Sequence, residues 1–191
     1  MAKSLPPLIA LYSPAAQMGK GETAKALTDL FDYTLVKFAA PLKNIVAIML
    51  AEMGVLTSDL HDYLEGAKKN VPLADFGFPN LTSRILQQTC GSEWGRDSLD
   101  RALWVKIALR KVQQIVSAGG RAVIDDMRFP NEYDAVEAFG GERWHIFRPR
   151  DSEPTNGHPS EGQLDHYKFH HSLINDGSIA DLRLAISEYL R

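Results

Sequence analysis

The stretch Leu8-Ile9-Ala10-Leu11-Tyr12-Ser13-Pro14-Ala15-Ala16-Gln17-Met18-Gly19-Lys20-Gly21-Glu22-Thr23 decides the fold. Leu8 to Tyr12 is an unbroken apolar run, too short for a membrane span, and it reads as a buried strand. A turn of small residues follows. Glu22 to Phe31 then has helix-forming composition, with Ala24, Leu27, Leu30 and Phe31 at helical spacing, and Tyr33 to Phe38 reads as a second strand. The opening is therefore strand, loop, helix, strand.

Working outward, Pro41 stands where a helix starts, and the apolar run Leu42 to Met53 ends at Gly54. The polar region Thr57 to Phe78 reads as an inserted flap or lid. Leu81 to Ala118 is helical with a break around Gly91 to Asp100, and Gly119-Gly120 stops it before the strand Arg121 to Asp125. A short helix, Asn131 to Phe139, leads through Gly140-Gly141 into a strand over Arg143 to Phe147. Arg148 to Gly162 is rich in Pro, Ser, Gly and charge, the composition of a mobile loop. Ser172 to Ile174 reads as a fifth strand, and Ser178 as the cap of a closing helix that reaches Leu190. Alternating strands and helices predict an α/β fold: a parallel sheet of about five strands, covered on both faces, with ligands at the carboxyl ends of the strands.

Composition sets the broad class. With 45% hydrophobic and 24% charged residues in 191, the chain has the balance of one soluble globular domain with an apolar core. A net charge of -3 does not mark nucleic acid as the main partner. The single cysteine, Cys90, excludes an internal disulfide or a CxxC knuckle and reads as a small core residue. These features predict a cytoplasmic protein that does not enter a membrane.

Three segments carry candidate chemistry. In the first loop, successive backbone N–H groups and the positive end of the following helix point at an anion, and Lys20 reaches its outer oxygens. The match to GxxxxGK[ST] is incomplete: Pro14 replaces the first glycine, and Gly21 stands where a metal-binding hydroxyl is expected, with Thr23 the nearest one downstream. An ordinary glycine-bearing turn before a helix accounts for the segment equally well. The second segment combines Arg84 with Gly91-Ser92-Glu93-Trp94-Gly95-Arg96-Asp97; its arginines suit bidentate phosphate recognition, and a solvated helix face with local ion pairs is the plainer alternative. The third, Asp125-Asp126-Met127-Arg128-Phe129-Pro130-Asn131-Glu132, places carboxylates at a strand end, where they can hold Mg²⁺ or cap the next helix. His166 and His170 have the spacing of one helix face, but no HExxH glutamate accompanies them, and Tyr167 and Phe169 point to packing rather than to zinc with His158 or His171. Trp94 can stack on a base, and Trp104 reads as core.

In their order along the chain these segments resemble the phage-type deoxynucleoside monophosphate kinases, within the P-loop nucleoside monophosphate kinases. The resemblance rests on Gly19-Lys20-Gly21-Glu22-Thr23, on Val36 to Lys43, on Arg84 to Leu86 with Gly91-Ser92-Glu93-Trp94, on Asp100 to Val105, on Asp125 to Glu132, and on His158 to Glu161 followed by Ile174 to Ser178. It implies a P-loop kinase fold with ATP and Mg²⁺ on the loop. It also implies a deoxynucleoside monophosphate held by arginines of a helical insert and of the strand-end loop. On that reading the core spans about 1–56 and 119–191, the monophosphate-binding insert about 57–118 and a lid-like loop about 148–162.

The expected roles follow from phosphoryl transfer, which needs positioning and charge neutralisation more than covalent chemistry. Lys20, Arg84, Arg128 and Asp126 are the catalytic candidates. Ser13, Ala16, Gly19, Lys20, Gly21, Glu22, Thr23 and Arg148 are assigned to ATP, with Arg150 a weaker lid candidate. Lys37, Arg84, Glu93, Trp94, Arg96, Arg101, Asp125, Arg128 and Glu132 are assigned to the acceptor, and Thr23 and Asp125 to Mg²⁺. The expected partners are ATP and a small-molecule monophosphate, with a homodimer left open; if phage-encoded, the protein works in the host cytoplasm. Two other readings predict different assays: a kinase acting on a modified base within DNA, and a nucleotide-binding module without turnover.

Overall fold

A computed structural model describes residues 5–15, 17–149 and 162–190. Ala16, Arg150 and His158, with most of the loop expected over about 148–162, lie outside the described residues. The chain divides into two compact units, Met1–Phe38 with Ala108–Arg191, and Ala39–Ile107.

The first unit is built on a parallel sheet. Its strands are β1 (Leu8–Tyr12), β2 (Tyr33–Val36), β5 (Arg121–Ile124), β6 (Glu142–Phe147) and β7 (His171–Ile174), in the spatial order β2-β5-β1-β6-β7. Every pairing is parallel, with Ala10 opposite Ile124 on one side and Tyr12 opposite His145 on the other. All five residues of β1 are buried, as a central parallel strand requires.

Alternation along the strands sends Ile9 and Leu11 to one face, where they join Ala24 and Leu27 of α1 (Lys20–Phe31) and Leu182 and Ile186 of α7 (Ile179–Tyr189) in one apolar cluster with Trp144. α7 starts at a reciprocal cap: Asp181 N–H donates to Ser178 Oγ at 3.3 Å and Ser178 N–H to Asp181 Oδ2 at 2.8 Å. On the opposite face α6 (Pro130–Phe139) packs close enough that a Cβ on Gly141 would meet both Leu8 and Val136 at 2.9 Å.

The second unit holds α2 (Ala40–Glu52), α3 (Leu60–Leu64), a small antiparallel ladder of β3 (Pro72–Leu73) and β4 (Phe78–Thr82), α4 (Ser83–Thr89), a π-helical stretch Cys90–Leu99 and the start of α5 (Leu103–Ser117). α2, which the sequence reading grouped with the core, belongs here because Val46 and Leu50 bury themselves with Val55, Tyr63, Leu73, Leu86 and Trp104. The break expected at Gly91 to Asp100 is a wide-turned helix rather than a loop. It forms around Trp104, whose Nε1–H donates to Gly91 O at 2.8 Å and whose indole lies 2.4 Å from where a Cβ on Gly95 would stand.

Residues 162–170 contain no helix, so His166 and His170 do not share a helix face as their spacing predicted. The segment follows its aromatic side chains instead: Phe169 stacks on Tyr12 at 5.4 Å and on His145 at 5.2 Å, while Tyr167 meets Tyr133 edge-on at 4.7 Å. Tyr12 donates its hydroxyl proton to Asp165, and burial beside that carboxylate raises the phenol above its ordinary range. His145 Nε2 is buried with no hydrogen-bond partner among the described residues. Burial holds this imidazole below its ordinary pKa, against a smaller opposite pull from Asp165.

An imidazole with a depressed native pKa binds fewer protons than the unfolded chain at pH values below about 6.5, so acidification through that window destabilises the fold. The thermal midpoint is expected to fall as pH drops from about 7 to about 5, and less steeply in His145→Phe. An unchanged slope in that variant would show that His145 does not contribute.

Candidate active site at the carboxyl ends of the strands

β1 is flanked by β5 and β6, and the chain moves outward from it first toward β2 and later toward β7. Its carboxyl end is thus the switch point of the sheet, the place where parallel α/β sheets leave a crevice. The loop leaving that end is tightly held. Ser13 Oγ donates to Ala15 O at 2.7 Å, and Ser13, Ala15 and Met18 are all buried. Gly19 caps α1 at φ +106°, a conformation that only glycine adopts without strain. Gly19 O accepts both Thr23 N–H at 2.9 Å and Thr23 Oγ1–H at 3.0 Å.

Thr23 is fully buried, and its hydroxyl donates to Gly19 O while its oxygen lone pairs stay uncommitted. Gly21 and Glu22 are exposed in the first helical turn, and nothing lies within 4 Å of a Cβ built on Gly21. Lys20 is the first residue of the helix and partly exposed.

One residue of this site went unassigned in the sequence. Asn175, immediately after β7, is buried and donates from Nδ2 to Met18 O at 3.0 Å. In the sequence it stands in an Asn-Asp-Gly turn ahead of a capped helix, within the Ile174 to Ser178 segment of the resemblance but with no role of its own; its place at a strand's carboxyl end was the available signal.

The acids after β5 lie one strand from the loop. Asp125 Oδ2 pairs with Lys37 at 3.2 Å, whereas its Oδ1 is buried and has no hydrogen-bond partner among the described residues. Such an oxygen fits a cation or a metal-bound water. Asp126 Oδ1 accepts Phe38 N–H at 2.9 Å, tying the end of β2 to that of β5. Glu132 is buried, and its Oε2 accepts Arg128 N–H at 2.7 Å and Phe129 N–H at 3.1 Å. It fixes the backbone that carries the exposed residue Arg128. Arg148 directly follows β6 and is exposed.

In the second unit Arg84 is exposed in the first turn of α4, its Nε hydrogen-bonded to Asn70 Oδ1. The same turn is capped by Thr82, whose Oγ1 accepts Ile85 N–H at 3.2 Å. The π-helical stretch exposes Glu93 and Trp94, half-buries Arg96 and is followed by exposed Arg101. Trp104 is buried, and so is Cys90, whose thiol burial raises in pKa.

A family model for deoxynucleotide monophosphate kinase matches residues 76–186. The chain belongs to this family. The match takes in Arg84, the acids after β5, Arg128 and Asn175, and begins well after the loop that follows β1.

That loop is spanned by the fold likeness. A dephospho-CoA kinase from Campylobacter jejuni superposes with a TM-score of 0.52 at 15% identity, over 96% of this chain and 95% of that one. The fold is that of the P-loop kinases. The Thermus thermophilus protein TT1252 gives a TM-score of 0.49 at 17% identity, over 98% and 97% of the two chains. Among curated proteins, the uncharacterized ORF77 of Ictalurid herpesvirus 1 (strain Auburn) is 35% identical over 95 residues, 48% of this chain and 42% of that protein. The match thus spans less than half of that relative's length. No helix among the described residues of this chain is long and apolar enough to cross a membrane.

The two loop glycines separate by substitution. Gly21→Ala meets open space in a helical turn and is expected to stabilise by about 0.5–1 kcal/mol. Gly19→Ala combines left-handed strain with a Cβ 2.3 Å from Asn175 Nδ2 and is expected to cost about 2 kcal/mol or more. Equal effects in denaturant melts would contradict this account of the loop.

Proposed function

We propose that this protein transfers the γ-phosphate of ATP to a deoxynucleoside monophosphate, giving a deoxynucleoside diphosphate and ADP. The observation that carries the reading is the loop at the end of β1, turned at Gly19 into the first turn of α1, with the Asp125 carboxylate a strand away holding one buried oxygen that has no hydrogen-bond partner among the described residues. The family match supports this acceptor class.

In this reading an acceptor phosphate oxygen attacks the γ-phosphorus, the bond from that phosphorus to the bridging oxygen breaks, and ADP leaves. Lys20 neutralises charge on the β- and γ-phosphates, and the backbone N–H groups around Gly19 and Gly21 hold them. Ser13 and Thr23 shape that loop from inside, Glu22 lies at its exposed rim, and Arg148 is placed to reach ATP. Mg²⁺, when bound, would screen the phosphate oxygens, with Asp125 as the residue to hold it.

Arg84 and Arg128 are assigned to the acceptor phosphate, where an exposed guanidinium offers a bidentate fork. Glu132 supports Arg128 through two backbone N–H groups, and Asp126 supports the chain after β2, next to Lys37. Trp94, Glu93, Arg96 and Arg101 are the further acceptor candidates, Trp94 by stacking on the base.

An ADP-release assay over a panel of deoxynucleoside and ribonucleoside monophosphates tests the reading. Monophosphate-dependent turnover is expected, lost by about a hundredfold or more in Lys20→Ala. Arg84→Ala is expected to raise the KM for the monophosphate by about tenfold or more with little change in the KM for ATP. Turnover only with duplex DNA as acceptor, or none with any acceptor, would overturn the proposal.

A further inference from the structure

Asn175 sits where the sheet fixes it. Its backbone N–H donates to Phe147 O at 2.7 Å, extending the pairing of β6 with β7 by one residue. From that anchored position Nδ2 reaches across the end of β6 to the loop after β1 and donates to Met18 O at 3.0 Å. The carbonyl of Met18 and the N–H of Gly19 belong to one peptide unit, and among the described residues no peptide is cis. In a trans peptide these two groups point in opposite directions. Drawing the Met18 carbonyl toward Asn175 therefore turns the Gly19 N–H away from Asn175.

The next peptide is held as well, because Gly19 O takes both donors of Thr23. Gly19 is thus locked on either side, and the space a side chain would fill is occupied by the Asn175 amide, 2.3 Å from an ideal Cβ. A donor preorganised before its ligand arrives needs no reorientation on binding, which is how such groups gain strength toward charge.

We infer that Asn175 is a positioning residue of the phosphate loop, its side-chain amide holding the Met18 peptide so that the Gly19 N–H faces the phosphates of a bound nucleotide. The inference rests on the donor-site reading of that loop. It requires an amide and not its isostere: a carboxylate at 175 has no proton for Met18 O and adds negative charge behind an anion site.

The test compares wild type, Asn175→Asp and Asn175→Ala as full-length proteins, by ADP titration calorimetry, by thermal midpoint, and by KM for ATP and for the monophosphate that wild type turns over fastest. Asn175→Asp is expected to weaken ADP binding and raise the KM for ATP by about tenfold or more, leaving the KM for the monophosphate within about twofold. Asn175→Ala is expected to show a smaller change of the same kind, and it decides the matter should the aspartate variant not fold. A purely structural role would lower the thermal midpoint while both variants bind ADP within about twofold of wild type, and that result overturns the inference. Wild type that binds ADP yet phosphorylates no monophosphate would sink the kinase reading alone; wild type that binds no ADP would overturn both.

Discussion

The complete burial of β1 is the constraint on which the first unit depends. A strand covered on both faces, with β5 and β6 on its two edges, has no solvent-facing side on which to place chemistry. Polar function can therefore appear only where the strand ends. Because every neighbour is parallel, the carboxyl ends of β2, β5, β6 and β7 arrive at that same edge of the sheet. The loop of Met18 and Gly19, the acids Asp125 and Asp126, Arg148 and Asn175 are each the first residues after a strand or close to it. Their meeting is a consequence of topology before it is one of side-chain chemistry.

The parts of this arrangement with a local cause were legible in the sequence. The apolar run of β1, the helical spacing of Ala24 and Leu27, the Pro41 start and Gly54 stop of α2, and the Ser178 cap of α7 each state their structure within a few residues. What was not legible depends on partners far along the chain. Asn175 looks like a turn residue until Met18, 157 positions earlier, is placed against it. The π-helical stretch looks like a break because its cause, the indole of Trp104 against Gly91 and Gly95, lies outside it. His166 and His170 have helical spacing, yet the aromatic stack of Phe169 on Tyr12 and His145 sets that segment's path.

The acids show a further limit. In the sequence Asp125, Asp126 and Glu132 belong to one acidic segment after a strand, with Asp125 assigned to metal and acceptor, Asp126 to catalysis and Glu132 to the acceptor. In the structure they differ: Glu132 accepts two backbone N–H groups, Asp126 binds the Phe38 N–H, and Asp125 keeps one buried oxygen without a hydrogen-bond partner among the described residues. A buried acceptor without a donor is costly unless something else meets it, which is why Asp125 stands apart as the cation candidate. The family match and the fold likeness divide in a similar way, the first covering the acids and Arg84, the second reaching the atypical loop with its Pro14 and Gly21.

On the proposed function, this atypical loop presents its backbone donors to a nucleotide's phosphates despite Pro14 and Gly21. Amide chemical shifts of the uniformly labelled protein on titration with ADP test it most directly. The account predicts that the backbone amides of Gly19, Lys20 and Gly21 are among the most strongly shifted, while the Asn175 side-chain amide remains hydrogen-bonded throughout. Saturating ADP that leaves those three amides unmoved while others respond would contradict it.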